Sequence, residues 1–192
     1  MRQLAVFCAT LLIGCSVAFA GPENILLNVD KVRAMSAEEY AAAVRNAPDV
    51  NARDEGGLTP LHYAAALGSP ESIAALLAAG ADLDARDERG GAPLHWAAVV
   101  GYTIDKGHSE NIAALLAAGA DINARDEEGD TPLHWSALSG TPEQVAALLD
   151  AGASGSVKNT HGETPFDQAK WNFRLKGTGT AVYWALNDAQ HK

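Results

Sequence analysis

The sequence predicts an all-α solenoid, in which helix-turn-helix repeats stack side by side and are joined by short β-turn or hairpin fingers. Three observations lead there. A phrase recurs: "ARDEGGLTPLHYAAALG" from Ala52, "ARDERGGAPLHWAAVVG" from Ala85 and "ARDEEGDTPLHWSALSG" from Ala124. Its period is regular, since Asp54 to Arg86 and Asp126 to Lys158 each run 33 residues, while Asp87 to Arg125 carries six more. Each copy also holds start and stop signals for two short helices, too small to bury an apolar stripe except against a neighbour.

Residues 1–20, "MRQLAVFCATLLIGCSVAFA", have a basic start at Arg2, an apolar run and Ala18-Phe19-Ala20 before Gly21. That is the layout of a secretory signal peptide, and the run is too short for a comfortable membrane span. The expected compartment is the periplasm or the exterior. A second reading stays open: "LIGC", ending at Cys15, resembles a bacterial lipobox, which would make an outer-membrane lipoprotein anchored through Cys15. The cysteines, Cys8 and Cys15, both lie in this segment, so the mature chain is expected to have neither disulfide nor thiol nucleophile. No other stretch is apolar enough to span a membrane.

In residues 21–35, Leu26, Val29, Val32 and Met35 are spaced by three and allow a short helix. Residues 36–53 form an N-terminal cap helix, opened by a capping box at Ser36 and Glu39. The units 54–86, 87–125 and 126–158 follow one plan. Thr59 and Thr131 are N-caps, with Pro60 and Pro132 at the first helical position, where a missing N–H costs nothing. Leu61, Ala64 and Ala65 make the first helix's stripe. Ile73, Leu76 and Leu77 make the second's, and Gly80, Gly119 and Gly152 end the second helices. Residues 159–192 are a degenerate last repeat, with Phe166-Asp167 in place of Leu-His and a second helix expected near Thr180 to Asn187. Trp171, Phe173 and Trp184 are expected to seal the end of the stack.

These residues carry a family resemblance. "TPLHYAAALG", "LLAAGADLDAR" and "LLAAGADINAR" on a period of 33 resemble the ankyrin repeat, over nearly all of the chain after residue 20. The resemblance implies that His62, His95 and His134 make structural hydrogen bonds in which the motif threonine takes part. Spacing agrees. Equivalent residues of stacked repeats lie roughly 10 Å apart, too far for three imidazoles to share one metal through bonds of about 2 Å. His108, His161 and His191 stand alone, and no catalytic triad, phosphate loop or paired carboxylate has a supporting context, so no enzyme activity, metal or cofactor is expected.

Binding is expected instead. With 14 Lys+Arg against 24 Asp+Glu the chain is acidic, which argues against nucleic acid and anionic membranes and suits a protein with a basic or amphipathic surface. The residue after the histidine changes from Tyr63 to Trp96 to Trp135. On the inner face of the stack, and at least partly exposed, these would form an aromatic row, with Leu67, Val100 and Leu138 nearby. Tyr and Trp are typical interface anchors. Glu55, Glu88 and Glu128 at the finger tips would edge that groove with negative charge, while Arg53, Arg86 and Arg125 balance it. The extra length near Gly101 to Lys106 falls between two helices, with Tyr102 and Lys106 as contact candidates. The resemblance points to small exported bacterial ankyrin proteins, some of which protect partner enzymes, including catalase, from oxidative stress. Others are toxin-neutralising immunity proteins or host-directed effectors. An exported adaptor, inhibitor or protective partner of an envelope protein is the expected function, with a lipid-anchored scaffold, an immunity protein or an effector as alternatives.

Overall fold

The computed structural model describes residues 25–27, 35–99, 109–172, 175 and 181–191. Residues 1–20, expected to be a signal segment, and the expansion from Gly101 to Lys106, with Val100, Tyr102 and Lys106, lie outside the described residues. A 3-10 turn at Ile25–Leu27 precedes the cap helix α1 (Ala37–Arg45). Three helix pairs follow: α2 (Pro60–Leu67) with α3 (Pro70–Ala78), α4 (Pro93–Ala97) with α5 (Ser109–Ala117), and α6 (Pro132–Ser139) with α7 (Pro142–Asp150). The terminal unit supplies α8 (Pro165–Ala169) and α9 (Ala181–Ala189). Among the described residues there is no strand, so the fingers are turns rather than hairpins.

The helices sort into two layers. First helices α2, α4, α6 and α8 pack in series, and α1, α3, α5, α7 and α9 pack in series behind them. The reason is the width of the apolar stripes. Leu61, Leu94 and Leu133 from the first layer meet Ile73, Leu76, Ile112, Leu115, Val145 and Leu148 from the second, all essentially inaccessible to solvent. Each such side chain stabilises the stack by roughly 1.5–3 kcal/mol when fully covered. Few of them are covered by their own pair alone, so stability belongs to the array.

Local chemistry sets the helix ends. Ser36 accepts from the Glu39 N–H while Glu39 accepts from the Ser36 N–H at 2.8 Å, the expected capping box. The second helices end in a left-handed glycine (φ 90° at Gly80, 99° at Gly119, 94° at Gly152), where a Cβ would be strained. Beyond it the Ala81 N–H returns to the Leu76 carbonyl at 2.9 Å, and Ala120 and Ala153 do likewise to Leu115 and Leu148.

A set of buried amides completes the junctions. Asn111 Nδ2 donates to the carbonyls of Ala64, Ala65 and Gly68. Gln144 Nε2 donates to Ala97 at 2.7 Å and Val99 at 3.0 Å. Asn172 Nδ2 donates to Ala137 and Gly140. Each plugs the open carbonyl end of the preceding unit's first helix, groups that a helix cannot satisfy itself.

The terminal unit departs from expectation at its aromatics. Trp171 is 66% exposed and Trp184 59% exposed, so neither seals the stack; Phe173 lies outside the described residues. Leu175, Leu186 and Ala169 are the buried groups there. The helix periodicity explains this: with Leu186 turned inward, Trp184 falls on the opposite side of α9.

Candidate functional site

The face between the first helices and the fingers is built from three repeated contacts. The first is the histidine clamp. His62 Nδ1 accepts the Thr59 N–H at 3.0 Å, with the Thr59 hydroxyl 2.9 Å away. An N–H can only donate, so Nδ1 is unprotonated and Nε2 carries the proton. Nε2 then donates to the Gly91 carbonyl of the next unit at 3.1 Å. His134 repeats this with Thr131 and Glu163. His95 repeats it with the Ala92 N–H and the Asp130 carbonyl. The histidine at the third helical position is therefore the capping acceptor, which is why Ala92 suffices where the other units have threonine. Thr59, Thr131 and all three histidines are buried, as structural residues should be.

Burial depresses the basicity of these rings. It lowers His62 and His134 from the ordinary histidine range and takes His95 down to about 4. Neutral imidazoles are what the clamp requires, because a protonated Nδ1 cannot accept the N-cap N–H.

The second contact joins the aromatic to its own finger. The Asp54 Oδ1 accepts the N–H groups of Gly56 and Leu58, fixing the turn. Its Oδ2 accepts the Tyr63 hydroxyl at 2.5 Å. Asp87 does the same for Arg89, Gly91 and the Trp96 indole N–H at 2.9 Å. Asp126 holds the Asp130 N–H and the Trp135 indole N–H at 2.8 Å. The aromatic is thus a polar handle on an apolar body, tying helix to finger.

The third contact stacks finger on finger. Glu88, Glu127 and Thr160 each donate a backbone N–H to the preceding finger, at 3.0, 2.9 and 2.8 Å. Gly57 (φ 75°) sits where this approach is closest, since a Cβ there would stand 3.0 Å from the Glu88 nitrogen. The arginines were expected to balance the aspartates. They bond carbonyls instead: Arg53 reaches Gly57 and Arg86, Arg86 reaches Gly90 and Arg125, and Arg125 reaches Lys158. Their charge is spent on backbone dipoles across the junction.

The expected aromatic row needs one correction. Tyr63 is buried, with 8% of its surface exposed. Trp96 and Trp135 are half-buried and meet edge to face with ring centroids 5.9 Å apart, and Trp135 also meets the His95 ring at 5.2 Å. Leu67 and Leu138 are half-buried, and Glu55, Glu88 and Glu128 are exposed at the tips. The surface that remains is a tryptophan pair flanked by acidic turns. The signal for the handle was present in the sequence: Asp54 and Tyr63, Asp87 and Trp96, and Asp126 and Trp135 are each nine residues apart. The amides Asn111 and Gln144, polar residues interrupting an apolar stripe, were also missed.

Among the described residues no group of three His, Cys, Asp or Glu is placed to hold a metal ion. No described helix is long and apolar enough to cross a membrane.

Comparison with known families agrees with this geometry. A family model described as ankyrin repeats (3 copies) matches residues 32–126 and 101–177. These ranges take in well over half of the chain, and the chain belongs to the ankyrin-repeat family. Proteins built from these repeats typically act as non-catalytic modules that bind other proteins. A comparison with curated proteins finds no match.

Proposed function

We propose that this ankyrin-repeat protein is exported and binds another envelope protein as an adaptor, inhibitor or protective partner, gripping it on the face between first helices and fingers. The observation that carries the reading is the Trp96–Trp135 pair. Two large aromatic side chains meet at 5.9 Å, are oriented by fixed carboxylates and are left half-accessible. Rigid, pre-oriented aromatics are effective anchors because little rotamer freedom is lost on binding. Glu55, Glu88 and Glu128 add negative charge around them, which favours a basic or amphipathic surface and speeds encounter with it.

The test is a pull-down from envelope extract with three proteins: wild type, a Trp96→Ala/Trp135→Ala double variant, and a Glu55→Lys/Glu88→Lys/Glu128→Lys triple variant. The acidic tips are exposed, so the triple variant keeps its fold, which circular dichroism checks. Loss of the same partner from both variants supports the reading, and equal recovery of every partner by all three removes it. Export is tested separately by intact mass. A mature start at Gly21 indicates a free exported protein, a lipidated Cys15 indicates an anchored one, and an unprocessed chain from the native host removes export.

A further inference from the structure

The last junction breaks the repeat at three positions together. Asp130 stands where the first two units have Leu58 and Gly91. Asn159 stands where they have the finger aspartate, and Gln168 where they have the aromatic. The three meet across the boundary between the third repeat and the terminal unit. Asn159 Nδ2 donates to Asp130 Oδ1 at 2.8 Å, and Gln168 Nε2 donates to the same oxygen at 3.1 Å. Among the described residues, Oδ2 has only a long contact of 3.4 Å to Gln168. All three residues are buried, and Gln168 Oε1 has no hydrogen-bond partner among the described residues.

No described cation compensates this carboxylate. His134 Nε2 is 4.0 Å away and gives its proton to the Glu163 carbonyl. Its Nδ1 is occupied by Thr131, so protonating the ring would break the clamp. His95 donates to the backbone carbonyl of Asp130 rather than to its side chain. On the same finger, Asp126 adds a like charge, and Arg125 is engaged with the Lys158 carbonyl. From the terminal unit come two neutral amides. Asp167 is held there by Thr164 and Lys170, and Glu163 is exposed and contributes its backbone.

We infer that Asp130 is a proton-binding latch, and that its neutral carboxyl holds residues 159–191 against the third repeat more tightly than the carboxylate does. One oxygen serves both amides, one on each lone pair. A proton on Oδ2 therefore deprives neither amide of its acceptor, while it removes the cost of an uncompensated buried charge. Burial pushes the Asp130 carboxyl above the usual aspartate range, with the like charge of Asp126 adding to it and the hydrogen bonds from Asn159 and Gln168 opposing it. The sign follows: a raised folded-state pKa gives stability that is present in acid and is lost as pH rises through that value.

The test uses the full chain and hydrogen exchange of the α9 amides, corrected for intrinsic rates, with α2 and α3 amides as an internal control. Asp130→Asn keeps the carbonyl acceptor and removes the charge. At pH 7 it should slow α9 exchange measurably relative to wild type, and the gap to wild type should close as pH falls. Asp130→Ala removes the acceptor and should speed exchange. If Asp130→Asn exchanges as fast as wild type or faster at pH 7, or if the gap is the same at every pH, the latch is refuted. The Asn comparison decides the matter even if the Ala variant fails to fold.

Discussion

Replacing His95 with glutamine should remove one identifiable part of the protein's acid sensitivity. The folded ring titrates at about 4 because it is buried, against an ordinary value of 6.5. Between those values the unfolded chain binds a proton that the folded chain refuses, so stability falls as pH drops through 6.5 towards 4. At pH 5 the difference amounts to 1.5 units of the unfolded titration, or ~2 kcal/mol at 1.36 kcal/mol per unit. With a urea slope of about 2 kcal/mol/M, the wild-type midpoint should fall by about 1 M more than that of His95→Gln between pH 7.5 and pH 5. The variant is expected to start lower, since glutamine reproduces the clamp imperfectly, so the readout is the difference of differences. His62 and His134 act in the same direction but in both proteins. Asp130 acts in the opposite direction, again in both. Asp167, held at about 2 chiefly by Lys170, withdraws its contribution only as pH falls below the ordinary aspartate value of 3.8. Parallel plots of midpoint against pH for the two proteins would refute the buried neutral clamp.

Three further outcomes are expected. Gly140→Ala should lower stability by about 1–3 kcal/mol, the usual cost of overpacking, because its Cβ would stand 2.7 Å from the Ser136 carbonyl oxygen and 2.8 Å from that of Ala98; thermal unfolding measures it. Gln144→Ala should cost about 1–3 kcal/mol by stranding the buried carbonyl of Ala97 and the half-buried one of Val99, and urea titration reports the loss. Deleting residues 172–192 should abolish cooperative unfolding, since it removes Leu175, Leu186 and the Asn172 plug and uncovers Val145 and Leu148; a soluble truncation with a sharp calorimetric transition would contradict that.

Much of this architecture was legible because each instruction is local. Pro60 and Pro132 mark helix starts, Gly80 and Gly152 mark ends, and a short stripe such as Ile73, Leu76 and Leu77 announces its need for a neighbour. The candidate surface was less legible because exposure depends on what the neighbours leave uncovered. Tyr63 and Trp96 occupy equivalent positions, yet Tyr63 is buried and Trp96 is half-buried. The carboxylate handles were written in a nine-residue spacing that no helix or strand period produces, because the turn between Asp87 and Trp96 folds the chain back on itself. The arginines misled for a related reason. Near so many aspartates they suggest ion pairs, but the stacked turns present a row of carbonyls at closer range.

The carboxylate at each indole nitrogen has a practical consequence. An excited indole shifts its emission when a charge beside its ring nitrogen moves, and Asp87 and Asp126 sit on the very turns whose tips face outward. Anything that tugs those tips should therefore change the colour of Trp96 and Trp135. With Trp171 and Trp184, both open to solvent, replaced by phenylalanine, the molecule would become its own optical gauge of contact.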